Sequence, residues 1–458
     1  MKSTSTSFIF LTCFLFFIFN ADAATKTGST GSWNTAATWS PAGVPAAGDD
    51  VVINGTVTLD INTSCASLTI NNGKVFIGGV FTLNISGNFI NNGGTFTGST
   101  STINFNGTGN SLISGTSAIT FYNLTVNKSS SAVTITSSSI DKAFAVGNNL
   151  SVATGNLILA ATDNDYTFSN NVTVATNGIL THSVPWDPGN KKIGIGGNLD
   201  VTGIFNPTVR SHVQLNGTGA HSIRTGSNVA STLSILTLNT GNFTANGTLK
   251  SNQEAWAMFG LGGSFSTGGY DVTFSSLLIN TGTVNVNGGS LTTTNSASIG
   301  YSSSAGTMNV SAGTLNVGTD ITNGSINTIN CTTSPQLNIK GNWINNGTFT
   351  AANSSVTFNG IGAGNIGGGN SSAFYNLTIN NPLGVTLSRD QTVTNTLTLT
   401  SGNLIIGTNN LILGTNATAV AGSPSASNMI VADGGGEVRK NFSGTGSYIF
   451  PIGDNTGI

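Results

Sequence analysis

The sequence predicts an all-β protein built as a parallel β-helix, in which short strands wind around a narrow apolar core. Three observations predict this fold: an unusual composition, internal repetition, and short segments that alternate apolar and polar residues. Only 7% of the 458 residues are charged, against about 25% in an ordinary soluble domain. Glycine occupies 61 positions and proline only 9. The net charge of −2 gives no basic surface for nucleic acid, so we expect no nucleic-acid partner.

Residues 1–23 are expected to be a cleaved secretory signal. Lys2 precedes an apolar run at 8–19, and Ala21-Asp22-Ala23 supplies an A-x-A cleavage site. The run is too short to span a bilayer, which requires about 20 apolar residues. We therefore expect a secreted or cell-surface protein that starts near Ala24 and has no membrane span in its mature chain.

The remaining chain repeats one phrase three times. GNFINNGGTF begins at Gly87 and GNWINNGTF at Gly341, while a weaker middle copy, GNLDVTGIF, begins at Gly197. A shorter repeat relates 282–292 to 306–316 with an offset of 24 residues. Such self-similarity is typical of duplicated supersecondary units.

Short alternating segments predict the strands. Val284 and Val286 alternate with Asn, as do Met308 and Val310 one repeat later. Asn-Gly and Gly-Gly pairs between these segments supply the positive φ angles of tight turns. A 24-residue step holds two or three strands, which favours a solenoid over propeller blades of about 40 to 50 residues. We expect roughly 17 or 18 coils, forming a rod near 80 Å long.

Both ends of the rod depart from the repeats. Trp33, Trp39 and two prolines precede the first regular strand, and Pro45 opens the pattern P-x-x-G-D-x-V-x-I. This opening resembles the G8 domain, a β-helical module of extracellular proteins. We therefore expect a cap with the first coils at 24–85, the repeat region at 86–420, and a further β module that starts at 421–458 and is truncated there. Cys65 and Cys331 lie far apart in sequence and are expected to remain unpaired.

A second resemblance covers most of the mature chain. The phrases GNWINNGTFTAANSSVTFNG, FYNLTIN and EVRKNFSGTGSYIFPIGD resemble those of large secreted β-helical repeat proteins of the Bacteroidota. The resemblance implies a cell-surface protein associated with type IX secretion, although the C-terminal sorting domain of such proteins is not found before Ile458.

Residues that could carry chemistry are few and scattered. The sequence contains only two glutamates, Glu254 and Glu437. Asp49 and Asp50 are expected to fix a turn, and the triplet 163–165 lacks the later ligands of an EF-hand. The histidines, His182, His212 and His221, have no metal-ligand spacing. We expect no cofactor and no metal.

The segment 182–192 is the strongest candidate for a ligand loop. It gathers a Trp, two Pro and several charges in a chain that is poor in all of them. Proline lacks the N–H that a sheet ladder needs, so the segment is expected to loop out. Its candidate ligand-contacting residues are His182, Trp186, Asp187 and Lys191; the ring of Trp186 either stacks on a sugar or covers an irregular coil.

These observations favour a secreted structural or adhesive protein without catalytic activity, whose partners are extracellular polysaccharide or other surface proteins. The alternative is a carbohydrate-active or carbohydrate-binding β-helix protein, with polysaccharide lyase or glycoside hydrolase as the enzyme classes. That alternative requires the charged groups of one segment to converge in a groove; they are Asp163, Asp165, His182, Asp187 and Lys191. Ice binding would need flat threonine ranks in every coil, whereas the coil repeat places Asn as often as Thr.

Overall fold

A computed structural model confirms the predicted fold. It describes residues 23–137, 142–162, 165–183, 192–207, 211–226, 233, 235–251, 256–259, 263–300 and 305–454. This part of the chain forms a parallel β-solenoid of about 18 turns, with 53% of residues in strands. The described residues include no α-helix and one 3-10 turn, Ala36–Thr38.

The strands belong to three sheets that form the sides of the solenoid. A 31-stranded sheet bends to supply two sides, and a 16-stranded sheet supplies the third. A four-stranded sheet precedes the 16-stranded one at the N-terminal end, where Phe96 contacts Phe121 across the junction with ring centroids 5.8 Å apart.

The 31-stranded sheet comprises Thr25–Gly28, Trp39–Ser40, Asp50–Ile53, Thr63–Cys65, Ser67–Ile70, Thr82–Ile85, Phe89–Asn91, Thr102–Phe105, Ser111–Ser114, Asn123–Asn127, Thr134–Ser137, Leu150–Leu159, Val172–His182, Leu199–Val201, Ile204–Pro207, Ala220–Arg224, Asn242–Ala245, Leu249–Lys250, Ser264–Ser266, Val272–Phe274, Thr283–Thr293, Thr307–Val317, Thr328–Cys331, Gln336–Ile339, Thr348–Thr350, Ser355–Phe358, Ala373–Asn380, Gln391–Ser401, Leu411–Leu413, Val420–Ala421 and Val438–Lys440. The 16-stranded sheet comprises Thr120–Phe121, Ala145–Val146, Tyr166–Phe168, Lys192–Ile195, His212–Leu215, Ile235–Leu238, Trp256–Phe259, Ser276–Ile279, Ala297–Ile299, Ile321–Asn323, Trp343–Asn345, Gly364–Gly367, Val385–Leu387, Leu404–Ile405, Ile430–Val431 and Ile452–Gly453. The four-stranded sheet comprises Gly31–Ser32, Thr56–Thr58, Val75–Ile77 and Thr95–Thr97.

The core follows directly from the alternation in sequence. Val284, Val286 and Leu291 are fully buried in Thr283–Thr293, and the parallel pairing places Met308, Val310 and Leu315 of the next turn beside them. Each turn thereby covers the apolar face of its neighbour, which no single turn could bury alone.

The outward residues form ladders of amides and hydroxyls. Asn309 donates from Nδ2 to Oδ1 of Asn285, 24 residues earlier, at 2.9 Å, and Asn330 donates to Asn309 at 3.3 Å. The step between turns is not constant, because it falls to 19 residues between Asn376 and Asn395 and rises to 27 between Asn171 and Asn198. The 24-residue repeat is therefore one coil length among several.

The N-terminal end is closed by the tryptophan pair. Trp33 and Trp39 are buried with ring centroids 4.9 Å apart, and Trp39 Nε1 donates to the carbonyl oxygen of Trp33 at 2.7 Å. Asp49 accepts hydrogen bonds from the backbone N–H groups of Ala24 and Ala46 at 2.9 and 2.8 Å. It therefore fixes the local backbone, as the sequence predicts.

The C-terminal part departs less from the solenoid than expected. We expected a further β module from residue 421, but Ile430–Val431, Val438–Lys440 and Ile452–Gly453 continue the existing sheets in parallel register. The backbone ladder tolerates the irregular sequence because it needs only extended segments at the right spacing.

Both described cysteines are unpaired, as predicted. Cys65 and Cys331 are buried in the core and form no disulfide. Burial raises the pKa of the Cys331 thiol to about 11 and raises that of Cys65 further. Both thiols are therefore protonated near neutral pH and act as small core side chains.

Candidate functional site

The predicted ligand loop begins inside the solenoid. His182 is the last residue of the strand Val172–His182 and is completely buried. The expectation that it lies on an exposed loop is therefore wrong. The strand extends further than the composition indicated and pairs His182 with Pro207 of the next turn. Trp186, Asp187 and Lys191, like Asp163, lie outside the described residues, and their role as ligand contacts stays a prediction.

His182 takes part in a buried polar cluster. Its Nδ1 shares a hydrogen bond with Oγ of Ser211, a residue that is also fully buried. The ring of Tyr166 packs edge-on against the imidazole, with centroids 6.2 Å apart. Burial, with a smaller effect of His212, lowers the pKa of His182 to about 4, so the imidazole is neutral at neutral pH.

His212 lies next to this cluster on the 16-stranded sheet. Its Nε2 shares a hydrogen bond of 2.8 Å with Thr237 Oγ1 in the next turn. Burial, assisted by Lys192 and opposed by Asp165, lowers the pKa of His212 to about 4. All four residues of His212–Leu215 are buried, so both faces of this strand are covered. A general base must reach its substrate, whereas these imidazoles connect turns of the solenoid.

Asp165 is positioned to hold the start of a strand. Its carboxylate accepts a hydrogen bond from the backbone N–H of Lys192 at 3.0 Å and lies 4.0 Å from the Lys192 ammonium. The two side chains are partly exposed, so the ion pair contributes little to stability. Within the part of the chain that the structure describes, no three His, Cys, Asp or Glu side chains are grouped as they would need to be to hold a metal ion.

The structure reveals a groove that the sequence did not indicate. Two adjoining depressions of about 350 and 510 Å³ share Gly318, Lys340 and Asn359, and we call them together the Lys340 groove. Its polar lining also includes Thr292, Thr294, Asn316, Asp320, Asn338 and Asn342.

The Lys340 groove arises from unequal corners of successive turns. Three residues, 318–320, connect Thr307–Val317 to Ile321–Asn323, and three residues, 340–342, make the same connection one turn later. In the following turn the corner 359–363 is longer and protrudes, so that Ile361 is 92% exposed. The short corners form the floor of the groove and the long corner forms one wall.

Hydrogen bonds hold this wall in place. The buried Asn381 donates from Nδ2 to the carbonyl oxygen of Gly362 at 2.6 Å, and the N–H of Asn359 donates to Ile339 O at 3.0 Å. On the floor, Asp320 Oδ1 accepts a hydrogen bond from the N–H of Asn342 at 2.8 Å. The groove is therefore preformed, which lowers the entropy that a ligand must lose on binding.

The run 360–364 is rich in glycine, but nothing in its residues distinguishes it from the other corners of the chain. The difference in corner length emerges only when consecutive turns are aligned by their strand register.

No family model matches the chain, and no match was found among curated proteins or solved structures. Among the described residues, no helix has both the length and the apolar character needed to cross a membrane.

Proposed function

We propose that this protein is a secreted or cell-surface structural and adhesive β-solenoid that acts by binding and not by catalysis. The observation that carries the proposal is the long, regular outer wall. Amide ladders such as Asn123–Asn148–Asn170 join consecutive turns at 2.9 and 3.0 Å, and similar ladders recur along the rod. A rigid wall of this kind offers many weak contacts at fixed spacing, which suits adhesion.

The location of the perturbed ionisable groups supports the same function. Catalytic sites usually place groups with shifted pKa values in an accessible cleft. Here the strongly shifted groups among the described residues are enclosed; Lys128, for example, is 2% exposed and donates to the carbonyl oxygens of Ser86 and Asn106 at 2.8 and 2.6 Å. Burial lowers the pKa of Lys128 to about 8, and its hydrogen bonds serve to join turns.

The proposed location outside the cell is supported by the N-terminal sequence. The apolar run 8–19 and Ala21-Asp22-Ala23 have the form of a secretory signal. A low charge content also suits a stacked wall, since like charges one strand spacing apart would repel along the rod. Extracellular polysaccharide and other surface proteins are the partners we propose.

Beads coated with the purified chain, from residue 24 onward, test the adhesive function. We expect them to adhere under flow to surfaces coated with extracellular polysaccharide or with cells. Protein recovered from the growth medium or cell surface should begin at Ala24. Beads that adhere to none of these surfaces, or a chain retained inside the cell, would overturn the proposal.

A carbohydrate-active protein is the second candidate, and the Lys340 groove is the observation that favours carbohydrate contact. Incubation with neutral and acidic polysaccharides separates binding from cleavage. We expect no new reducing ends and no unsaturated sugar products. Reproducible product formation would replace the adhesive function with an enzymatic one.

A further inference from the structure

We propose that the Lys340 groove binds a strand of neutral, hydroxyl-rich glycan. The inference deepens the proposed adhesive function, on which it rests, by assigning a site and a ligand class.

The shape of the groove suits an extended polymer. It crosses the corners of four consecutive turns, from Thr294 through Gly318 and Lys340 to Asn359. Turns stack at about 4.8 Å, so the groove extends along the rod over roughly 15 Å. Gly318 lets the two turns approach closely on the floor, because a Cβ there would lie 2.0 Å from the carbonyl oxygen of Thr294. A chain molecule lying parallel to the rod axis fits this outline better than a compact ligand.

The polar groups of the groove are those that bind sugar hydroxyls. Asn338 donates to Asn316 at 2.9 Å, and Asn316 donates to Thr292 Oγ1 at 3.2 Å, so this ladder runs in one direction. The direction leaves Oδ1 of Asn338 as the terminal acceptor, and it accepts no hydrogen bond from a residue that the structure describes. A sugar hydroxyl is a donor and acceptor that continues such a ladder.

The charges of the groove favour a neutral ligand. The Lys340 ammonium makes no hydrogen bond or ion pair with the described residues, and Asp320 places one carboxylate on the same floor. The two formal charges cancel, so an anionic polymer would gain an attraction to Lys340 and meet a repulsion from Asp320. Neutral hydroxyl groups can form hydrogen bonds with the Lys340 ammonium and with the Asp320 carboxylate, and neither charge repels them.

The exposed wall supplies an apolar contact. Ile361 is 92% exposed on the corner that Asn381 holds in place. A single exposed apolar side chain is common on protein surfaces, but Ile361 stands directly beside the polar groups that line the groove. Sugar rings present C–H groups beside their hydroxyls, so one face of a sugar can pack on Ile361 while its edge meets the amides.

Two matched amide substitutions test the site. Asn338→Ala and Asn309→Ala each remove a ladder amide that donates to an Asn of the preceding turn at 2.9 Å, but only Asn338 lines the groove. Affinity electrophoresis and calorimetry of the whole chain would use soluble β-glucan, mannan and xylan as neutral probes and alginate and polygalacturonate as acidic ones. We expect Asn338→Ala and Lys340→Ala to weaken binding of one neutral probe about tenfold, and Asn309→Ala to leave it unchanged.

A third variant blocks the groove while leaving the core intact. A side chain at Gly362 would have no protein atom within 4 Å of its Cβ, so Gly362→Glu is expected to fold normally and to occupy the groove beside Lys340. We expect it to abolish binding of the neutral probe with an unchanged melting temperature.

The outcomes separate this inference from the adhesive function. Equal binding by all variants, or tighter binding of an acidic probe that depends on Lys340, would overturn the assignment of a neutral glycan to the groove. If the coated beads still adhered in that case, the adhesive function would stand and its contacts would lie elsewhere. If beads coated with the unmodified chain adhered to none of the tested surfaces, both proposals would be overturned.

Discussion

The first and last copies of the repeated phrase read almost alike but lie on different sides of the solenoid. Phe89–Asn91 belongs to the 31-stranded sheet, whereas the corresponding Trp343–Asn345 belongs to the 16-stranded sheet. The next strand is displaced in the same sense, because Thr95–Thr97 lies in the four-stranded sheet and Thr348–Thr350 in the 31-stranded sheet. The phrase therefore specifies a local arrangement of strands and corners, and not a side of the rod.

What the two copies share is a cluster of three aromatic rings. In the first copy the centroid of Phe89 lies 5.3 Å from that of Phe96 and 5.2 Å from that of Phe121, and the latter two are 5.8 Å apart. In the last copy, Trp343 lies 4.7 Å from Phe349 and 5.4 Å from Phe374. Nearly equal geometry on two different sides shows that more than one interior face accepts the same packing unit.

The copies differ in how they satisfy a buried polar group. In the last copy, Ser372 Oγ accepts hydrogen bonds from Trp343 Nε1 at 3.0 Å and from Asn345 Nδ2 at 3.2 Å. The first copy has the apolar Ile119 in place of Ser372, and Nδ2 of its Asn91 finds no hydrogen-bond partner among the described residues. The last copy is thus more polar at this position, and its Trp343 and Asn345 donors have a hydrogen-bond partner. The first copy relies more on apolar packing.

Removing the central ring should have the largest effect on either copy. Trp343→Ala and Phe89→Ala each delete a buried aromatic side chain, and we expect losses of about 3–5 kcal/mol in unfolding free energy. The loss at Trp343 should be the greater, because its removal also deletes a donor to Ser372. Urea unfolding with hydrogen exchange localises each effect, and a larger loss at Phe89 would contradict the comparison.

Lowering the pH should destabilise the middle of the rod more than either copy of the repeated phrase. The pKa values of His182 and His212 are lowered to about 4 in the folded chain from 6.5, so the unfolded chain binds more protons between these values. The free energy of unfolding is therefore highest above pH 6.5, where both histidines are neutral in either state. It falls as the pH drops toward 4. By pH 5 we expect a loss of about 2 kcal/mol for each histidine.

Hydrogen exchange at pH 7 and pH 5 checks this expectation. The amides around 172–238 should lose protection first, and His182→Asn should reduce the acid sensitivity. His221→Asn, which changes a partly exposed histidine, serves as the control. Equal loss of protection along the rod would show that the histidines do not control the response.

Ser372 of the last copy should contribute less to stability than Trp343 does. Ser372→Ala leaves the N–H groups of Trp343 and Asn345 without their acceptor, and we expect a loss of about 2 kcal/mol. Ser371→Ala, at the exposed neighbouring position, should have almost no effect. Melting temperatures of the two variants give the comparison, and similar values would refute the role of the hydrogen bonds.

A double-mutant cycle sharpens the same point. Trp343→Phe with Ser372→Ile rebuilds the apolar pairing of the first copy. We expect the double variant to lose less stability than the sum of the single variants, with a coupling of about 1 kcal/mol. Strict additivity would mean that the two positions adapt independently.

The smallest effect is expected from a ladder on the outer wall. Asn309→Ala removes one amide from a ladder that is partly exposed to water, so we expect a loss of about 0.5–1 kcal/mol. Urea unfolding of this variant checks the value. A loss as large as that of Trp343→Ala would mean that the ladders, and not the core, dominate stability.

The sequence predicted the fold because its strongest signals are local. The alternation around Val284 and Met308 depends only on which face of a strand is buried, and the two tryptophans at the start differ visibly from the repeats. The sides on which Phe89 and Trp343 lie were not predictable, because they depend on the accumulated lengths of all intervening coils.

The sites were harder to predict because they depend on neighbouring turns. His182 was expected on a loop, but the strand extends through it and Ser211 of the next turn supplies its partner. Lys340 carries no motif of its own. Its surroundings arise from corners roughly 20 residues apart, and no short segment contains them.

Corners of unequal length also affect how such a rod can change during evolution. Residues inserted at a corner move neither the backbone ladder nor the apolar interior, as the protruding corner 359–363 illustrates. Natural variation can therefore reshape the outer relief of the molecule one corner at a time, with the scaffold unaltered. A single architecture can in this way acquire new binding surfaces without passing through unstable intermediates.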